Sequence, residues 1–340
     1  MRLIYLSVHE PLEYDEVTLL RSLGHTVFPL GFNFGDHAGM GGLRPPIDLG
    51  PDFPKLREAF DRLGCRFDVR DAVGSLHLTP EFVARFDASI IMFAWPVIDR
   101  LWSVLKLRPI ILRTIGQGLD VFEPAHRRLR AEGVRIVRYA AVEEATPGYA
   151  GADALIRFTK DPDDFAPWTG ERPFVLSFAS SFAQRFPAEF GLWQRATAAL
   201  PTLLGGRGNG TVPPALGGIE AAEQLRLLRE CRAYFYCSGL EIPYTLNFME
   251  AWMAGIPAVV MHPSALGIGE QYWEIGRLIT PGVDALLVRD AAQAEAALRS
   301  LLQDHALAAR IGAAGRASAI RLFGRPNIGP QWQHLLAGLA

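Results

Sequence analysis

The feature that most constrains this chain is an alternation, sustained from end to end, of short apolar runs with amphipathic helical patterns. Strand-like runs occur at Leu3–Val8, His25–Leu30, Asp87–Ala94, Arg108–Thr114, Val134–Tyr139 and Ala154–Phe158. Helical patterns at Leu12–Leu23, Pro54–Leu63 and Pro124–Gly133 are interleaved with them. The alternation restarts with strands at Phe174–Phe178, Thr202–Gly205, Ala233–Cys237 and Pro257–Met261, and helices at Ala188–Leu200, Ile219–Arg229 and Leu246–Ala254. Helices at Ala292–Gln303 and His305–Ile320 close this second series, and a short one near Gln331–Leu339 follows. Strands that are apolar throughout, in this order, belong to parallel sheets covered by helices on both faces. The fold class is therefore read as α/β, with two Rossmann-like doubly wound parallel-sheet domains facing each other across a cleft.

The expected domains are residues 1–165 and 172–325, with a helix in 326–340 packing back toward the first. Between them Lys160–Arg172 mixes prolines with charge, lacks periodicity and reads as a linker. Gly31–Pro54 is too rich in Gly and Pro for a regular element and reads as a long surface loop or lid. In open sheets of this kind ligands sit at the carboxyl ends of strands, so functional residues are sought just after them.

Composition narrows the function classes. With 49% apolar and 21% charged residues over 340 positions, the chain can bury two cores. A formal charge of −2 gives no whole-molecule reason to bind nucleic acid. No apolar run reaches the roughly 18 residues of a membrane-spanning helix. The N-terminus turns polar at Ser7-Val8-His9-Glu10, too soon for a signal peptide. Cys65, Cys231 and Cys237 lack metal-ligand spacing and read as reduced thiols. A cytoplasmic protein with no metal and no cofactor is expected. One local feature stands out: Arg100–Arg138 holds nine basic and three acidic residues. Such a segment attracts anionic lipid surfaces, and Trp95, Leu101 and Trp102 could add interfacial contacts. A contact with the inner face of the membrane is therefore expected.

The most informative stretch is Tyr236–Val260, read as a strand, a polar loop, a helix and a second strand. Leu246 or Asn247 lies at the helix start, beside Thr245, so free amides and the positive dipole end face the strand-end crevice. That arrangement suits a diphosphate. Glu250 could accept hydrogen bonds from a ribose diol, and Glu241 lies on the same rim. With Asn247 as N-cap, Glu250 would equally complete a capping box.

This stretch resembles the donor-site signature of GT-B-fold retaining glycosyltransferases of the family-4 type. Ser238-x-x-Glu241, Glu250-Ala251, Ala254-Gly255, Pro257 and Val259-Val260 match it. One more residue than usual separates the two Glu, and Pro243-Tyr244-Thr245 stands where the family has Gly-Phe-Gly. Phe174–Arg185 is similar to the family's strand, small-residue loop (Ser180, Ser181) and diphosphate-binding cation, here Arg185. Gly205-Gly206-Arg207-Gly208 resembles its Gly-rich turn near the base, and Asp284–Phe323 its closing segment. Gly206-x-Gly208-x-Gly210 is not the dinucleotide fingerprint.

The resemblance implies metal-independent transfer of a sugar from a nucleotide-diphosphate sugar, as co-substrate, to a glycan or lipid-linked acceptor. Anomeric configuration would be retained, as in cell-surface polysaccharide synthesis. Arg185 and the helix start would stabilise the leaving diphosphate, Glu250 would hold the ribose and Glu241 the donor sugar. Acceptor-side candidates rest on strand-end position alone: His9 (also a catalytic candidate), Glu10, Gln117, Glu143 and Glu144. A GT-B-type sugar-nucleotide epimerase and a non-catalytic nucleotide-sugar-binding scaffold or partner subunit remain as alternatives.

Overall fold

The structure is a computed structural model that describes residues 1–34, 44–116, 119–210 and 215–339. The chain divides into two compact units, Met1–Thr159 together with Arg325–Ala340, and Lys160–Gly324.

The first unit is built on β1 (Arg2–Leu6), β2 (Thr26–Leu30), β3 (Ala88–Met92), β4 (Ile110–Arg113), β5 (Arg135–Arg138) and β6 (Ala154–Leu155). All neighbours are parallel, in the order β2-β1-β3-β4-β5-β6. The chain moves from β1 outward to β2, then returns to the other side of β1, so the switch point lies between β1 and β3. Its helices are α1 (Glu10–Ser22), α2 (Phe53–Arg62), the short α3 (Pro80–Val83), α4 (Trp95–Arg100) and α5 (Trp102–Leu105), then α6 (Leu119–Ala131). Gly24, at φ +86°, ends α1 in the left-handed conformation that glycine adopts without cost. Helix α6 starts before the position that Pro124 suggests and carries that proline inside it.

The second unit holds β7 (Arg172–Phe178), β8 (Thr202–Gly205), β9 (Ala215–Gly217), β10 (Cys231–Tyr236), β11 (Ala258–Met261) and β12 (Leu286–Val288). They run parallel in the order β12-β11-β10-β7-β8-β9, with the switch point between β7 and β10. Around them lie α7 (Phe182–Arg185), α8 (Pro187–Thr197), α9 (Ala221–Glu230), α10 (Leu246–Ala254), α11 (Ile275–Leu278), α12 (Ala291–Gln303) and α13 (His305–Phe323). Helix α14 (Arg325–Ala337) returns to the first unit, where Trp332 is fully buried. The two Rossmann-like units expected from the alternation are present.

Burial explains the register. Every residue of β3 is buried, as a strand covered on both faces requires. Phe28 on β2 packs against Phe34, Phe53, Phe60, Phe82 and Phe86 at 5.2–5.9 Å between centroids.

One expectation is overturned. Lys160–Arg172 is not a free linker: Arg316 donates to the carbonyls of Pro162 and Phe165, Trp168 Nε1 donates to the Cys231 carbonyl, and Trp168 stacks on His305. In the basic segment seven of the nine basic residues are exposed, and the charge of the segment is partly neutralised by ion pairs. Arg113 and Arg138 are buried, ion-paired with Glu16 at 2.8 Å and Glu123 at 2.6 Å. Arg128 pairs with Asp99, and Arg130 and Arg135 with Asp153, all outside the segment. Among the described residues no helix is long and apolar enough to cross a membrane.

Candidate functional site

In the second unit the loops after β7, β8 and β10 meet at the carboxyl edge of the sheet. After β7 the chain passes the exposed Ser180 to Ser181, which is left-handed at φ +49°. Ser181 is held there from both sides. Its amide donates to the Arg207 carbonyl at 2.7 Å, and its own carbonyl accepts from the amides of Gln184 and Arg185. Asn209 laces the two loops: Oδ1 accepts from the Phe182 amide, and Nδ2 donates to the carbonyls of Ala179 and Gly206. This backbone leaves no room for side chains at two glycines. A Cβ on Gly206 (φ +135°) would lie 2.2 Å from the Ala179 carbonyl oxygen, and one on Gly208 (φ +78°) 2.3 Å from Ser181 Oγ. Asn209 escaped the sequence reading, although an Asn between Gly208 and Gly210 is a turn signal.

Helix α10 starts where the pattern places it, but with a different cap. Thr245 is the N-cap, its Oγ1 accepting from the Phe248 amide at 3.2 Å. Asn247 lies inside the first turn, and its Nδ2 donates to the Phe178 carbonyl at 3.0 Å across the β7/β10 switch point. The capping-box reading of Glu250 is therefore wrong, because that residue lies beyond the first turn. With Thr245 serving Phe248 and Met249, the terminal amides of Leu246 and Asn247 are the ones left for a ligand.

Glu250 is buried between two partners that sequence reasoning missed. Lys160 Nζ lies 2.7 Å from Oε1, and Gln224 Nε2 donates to Oε2. Lys160 and Glu250 are 2% and 4% exposed, so this is a fully desolvated ion pair. No local signal joins a lysine in a presumed linker to a helix far along the chain. Glu241 is exposed on the loop after β10. Beside it, Glu189 of α8 has its carboxyl held above the usual range, chiefly by burial and further by the charge of Glu241, while the Leu240 amide opposes the shift. Arg185 is exposed at the end of α7, its guanidinium 5.1 Å from the Phe186 ring. The structure thus gathers Ser180, Ser181, Gly206, Thr245, Leu246 and Asn247 at one sheet edge, with Arg185 one turn beyond Ser181.

In the first unit the strand-end candidates separate. His9 is half-buried at the N-cap position of α1 without a side-chain cap, its amide bonded to Ser7 Oγ. Glu10 is buried and accepts from the Arg44 amide. Glu143 does not face a ligand. It is fully buried, accepting from Thr114 Oγ1, Arg138 and the amides of Tyr139 and Ala140. A carboxylate so completely satisfied holds strand ends together. Glu144 is exposed, and Gln117 lies outside the described residues.

No family model and no curated protein sequence matches the chain. Solved structures do. Sucrose-phosphate synthase from Thermosynechococcus elongatus superposes with a TM-score of 0.68 at 16% identity, over 100% of this chain and 99% of that one. Anabaena HepE, solved in complex with UDP and glucose, gives 0.68 at 13% identity over 100% of both chains. A glycosyltransferase from Rickettsia africae gives 0.67 at 12% identity over 99% and 98%. The fold is that of the two-domain GT-B glycosyltransferases.

Proposed function

We propose that the protein is a glycosyltransferase that moves a sugar from a nucleotide-diphosphate sugar to a glycan or lipid-linked acceptor with retention at the anomeric carbon, as in polysaccharide synthesis. One observation carries this reading: the amide-bearing start of α10 opens beside the β7/β10 switch point, where Asn247 Nδ2 donates to the Phe178 carbonyl. Unspent amides at a helix start are suited to a diphosphate. The likeness to HepE, whose structures contain UDP or UDP-glucose, agrees with that ligand class.

In this reading the bond from the anomeric carbon to the diphosphate oxygen breaks, and negative charge gathers on the departing phosphate. The amides of Leu246 and Asn247 and the guanidinium of Arg185 are the groups that stabilise it, with no metal called upon. The acceptor hydroxyl forms the new bond and passes its proton to the leaving phosphate. Glu250, fixed by Lys160 and Gln224, is the ribose-side carboxylate. Glu241 lies nearer the sugar.

The test is thermal shift with UDP-, GDP-, ADP- and CMP-sugars, followed by donor turnover. A nucleotide sugar at about 100 times its Kd is expected to stabilise the protein by about 2.7 kcal/mol. Arg185→Ala is expected to slow transfer by about 10²–10³-fold, the usual loss of one transition-state charge contact. Binding without turnover under any acceptor mixture would instead identify a scaffold, and a free epimer formed without acceptor an epimerase. If no nucleotide shifts the melting temperature, the reading is wrong.

A further inference from the structure

At the carboxyl end of β3 the chain makes an unusual turn. The Ala94 amide donates to the Met92 carbonyl at 2.7 Å, and the Trp95 amide to the Phe93 carbonyl at 2.7 Å. These are two consecutive γ-turns. Ala94, at φ −73° and ψ 51°, centres the common inverse form. Phe93, at φ +62°, centres the rare strained form, and with Ser181 it is one of two non-glycine residues at positive φ among the described residues. Strain of this kind persists only where its surroundings enforce it, and it gathers at ligand sites. Here the Phe93 amide is tied to the Arg113 carbonyl of β4 at 2.9 Å.

The turn has a consequence for the side chain. Residues 88–92 are all buried, but Phe93 is only half-buried and meets the half-buried Phe122 of α6 edge to face, with centroids 5.2 Å apart. This pair stands at the carboxyl end of β3 on its β4 side, one strand from the β1/β3 switch point near which a fold of this type takes its ligand. Ser7 and His9 form the neighbouring strand end, joined to β3 through Ser7 Oγ and Met92 Sδ at 3.6 Å. The slot between the rings and Leu112, Thr114 and Glu143 is only about 10 Å³, room for one water at most, so it admits no sugar ring and only the outer part of the rings is on offer. A pyranose fits such a surface. Its C–H face lies against the electron-rich face of an aromatic ring, while its hydroxyls point outward to a polar rim.

We propose that the Phe93 ring is the platform on which the sugar ring of the acceptor lies, with the perpendicular Phe122 ring bracing it, and that the strained turn exists to present it. The role as acceptor platform rests on the transferase reading; sugar binding itself does not. The test uses methyl glycosides of glucose, galactose, mannose and N-acetylglucosamine in saturation-transfer NMR, with UDP-induced thermal shift in parallel. At least one methyl hexoside should receive saturation at its ring C–H protons. Phe93→Gly and Phe122→Ala should each weaken it about tenfold, as loss of one aromatic contact implies. Phe93→Gly should leave the UDP shift unchanged and melt no lower than the parent protein, since glycine accepts this backbone. No binding of any methyl hexoside by the parent protein, or binding untouched in both variants, overturns the proposal. So does a Phe93→Gly variant that melts well below the parent, because the ring is then structural. A parent protein that binds a methyl hexoside on these residues but no nucleotide supports the platform and removes the transferase reading instead.

Discussion

Lys160 and Glu250 neutralise each other away from water, and that makes each the other's liability. Removing one partner of a buried pair strands the other, which typically costs about 3–5 kcal/mol, whereas replacing both by apolar groups of similar size is often neutral. Lys160→Met is therefore expected to lower unfolding free energy in urea by about that amount, and Lys160→Met/Glu250→Leu to recover most of it. Glu13 offers a second measurement. Its carboxylate accepts the Phe32 and Asn33 amides at 2.6 and 3.0 Å beside Gly31, yet burial pushes its carboxyl from 4.5 up to about 7. A carboxyl raised by folding binds its proton more tightly in the folded state. Stability should therefore fall as pH rises from about 4.5 to 7, by on the order of 3 kcal/mol, and level off above. Urea melts of Glu13→Gln should lack that slope. None of these partnerships was legible in the sequence. Glu143 and Glu144 are adjacent carboxylates after the same strand, one saturated inside and one exposed, and only the fold of Arg138 and Thr114 around the first tells them apart.

Elements were far more readable than contacts. Helix α10 was placed to the residue because its apolar period ends at Gly255, left-handed at φ +81°. Its cap was misassigned because Thr245 and Asn247 are both capping residues and only packing shows which one turns toward Phe178. The short α3, α4 and α5 were unread because one helical turn leaves no period to detect. Helix α13 shows how tightly the site helix is mounted. A Cβ on Gly312 would lie 2.1 Å from the Gly255 carbonyl oxygen, and one on Gly315 2.6 Å from Trp252 Nε1. Gly312→Ala must push α13 away from α10, and overpacking of this kind costs about 1–3 kcal/mol. Calorimetry should show that loss, and nucleotide affinity should fall with it because the disturbed contact is the one that mounts α10, which carries Leu246 and Asn247.

At the scale of the whole molecule, the alternation of strands and helices sufficed to predict two parallel sheets, because apolar strands interleaved with helices are buried by helices packed on both faces of a parallel sheet. It did not reveal how the chain is divided between them. The second unit is one uninterrupted stretch, whereas the first is completed only by α14, whose Trp332 stacks near the buried Arg113 at 5.7 Å. The stretch enters and leaves side by side: the Lys160 amide donates to the Phe323 carbonyl at 2.8 Å, and Lys160 pairs with Gly324 in a parallel bridge. The unit between these points is thus a cassette with its two ends fastened together. Joining Thr159 to Arg325 through a few glycines should leave a folded first unit, with near-ultraviolet circular dichroism retained, and Lys160–Gly324 alone should still melt cooperatively and later with UDP. A module whose two ends lie side by side can be exchanged for another at a single pair of adjacent cuts, so under the proposed function nucleotide preference and acceptor preference are free to change separately.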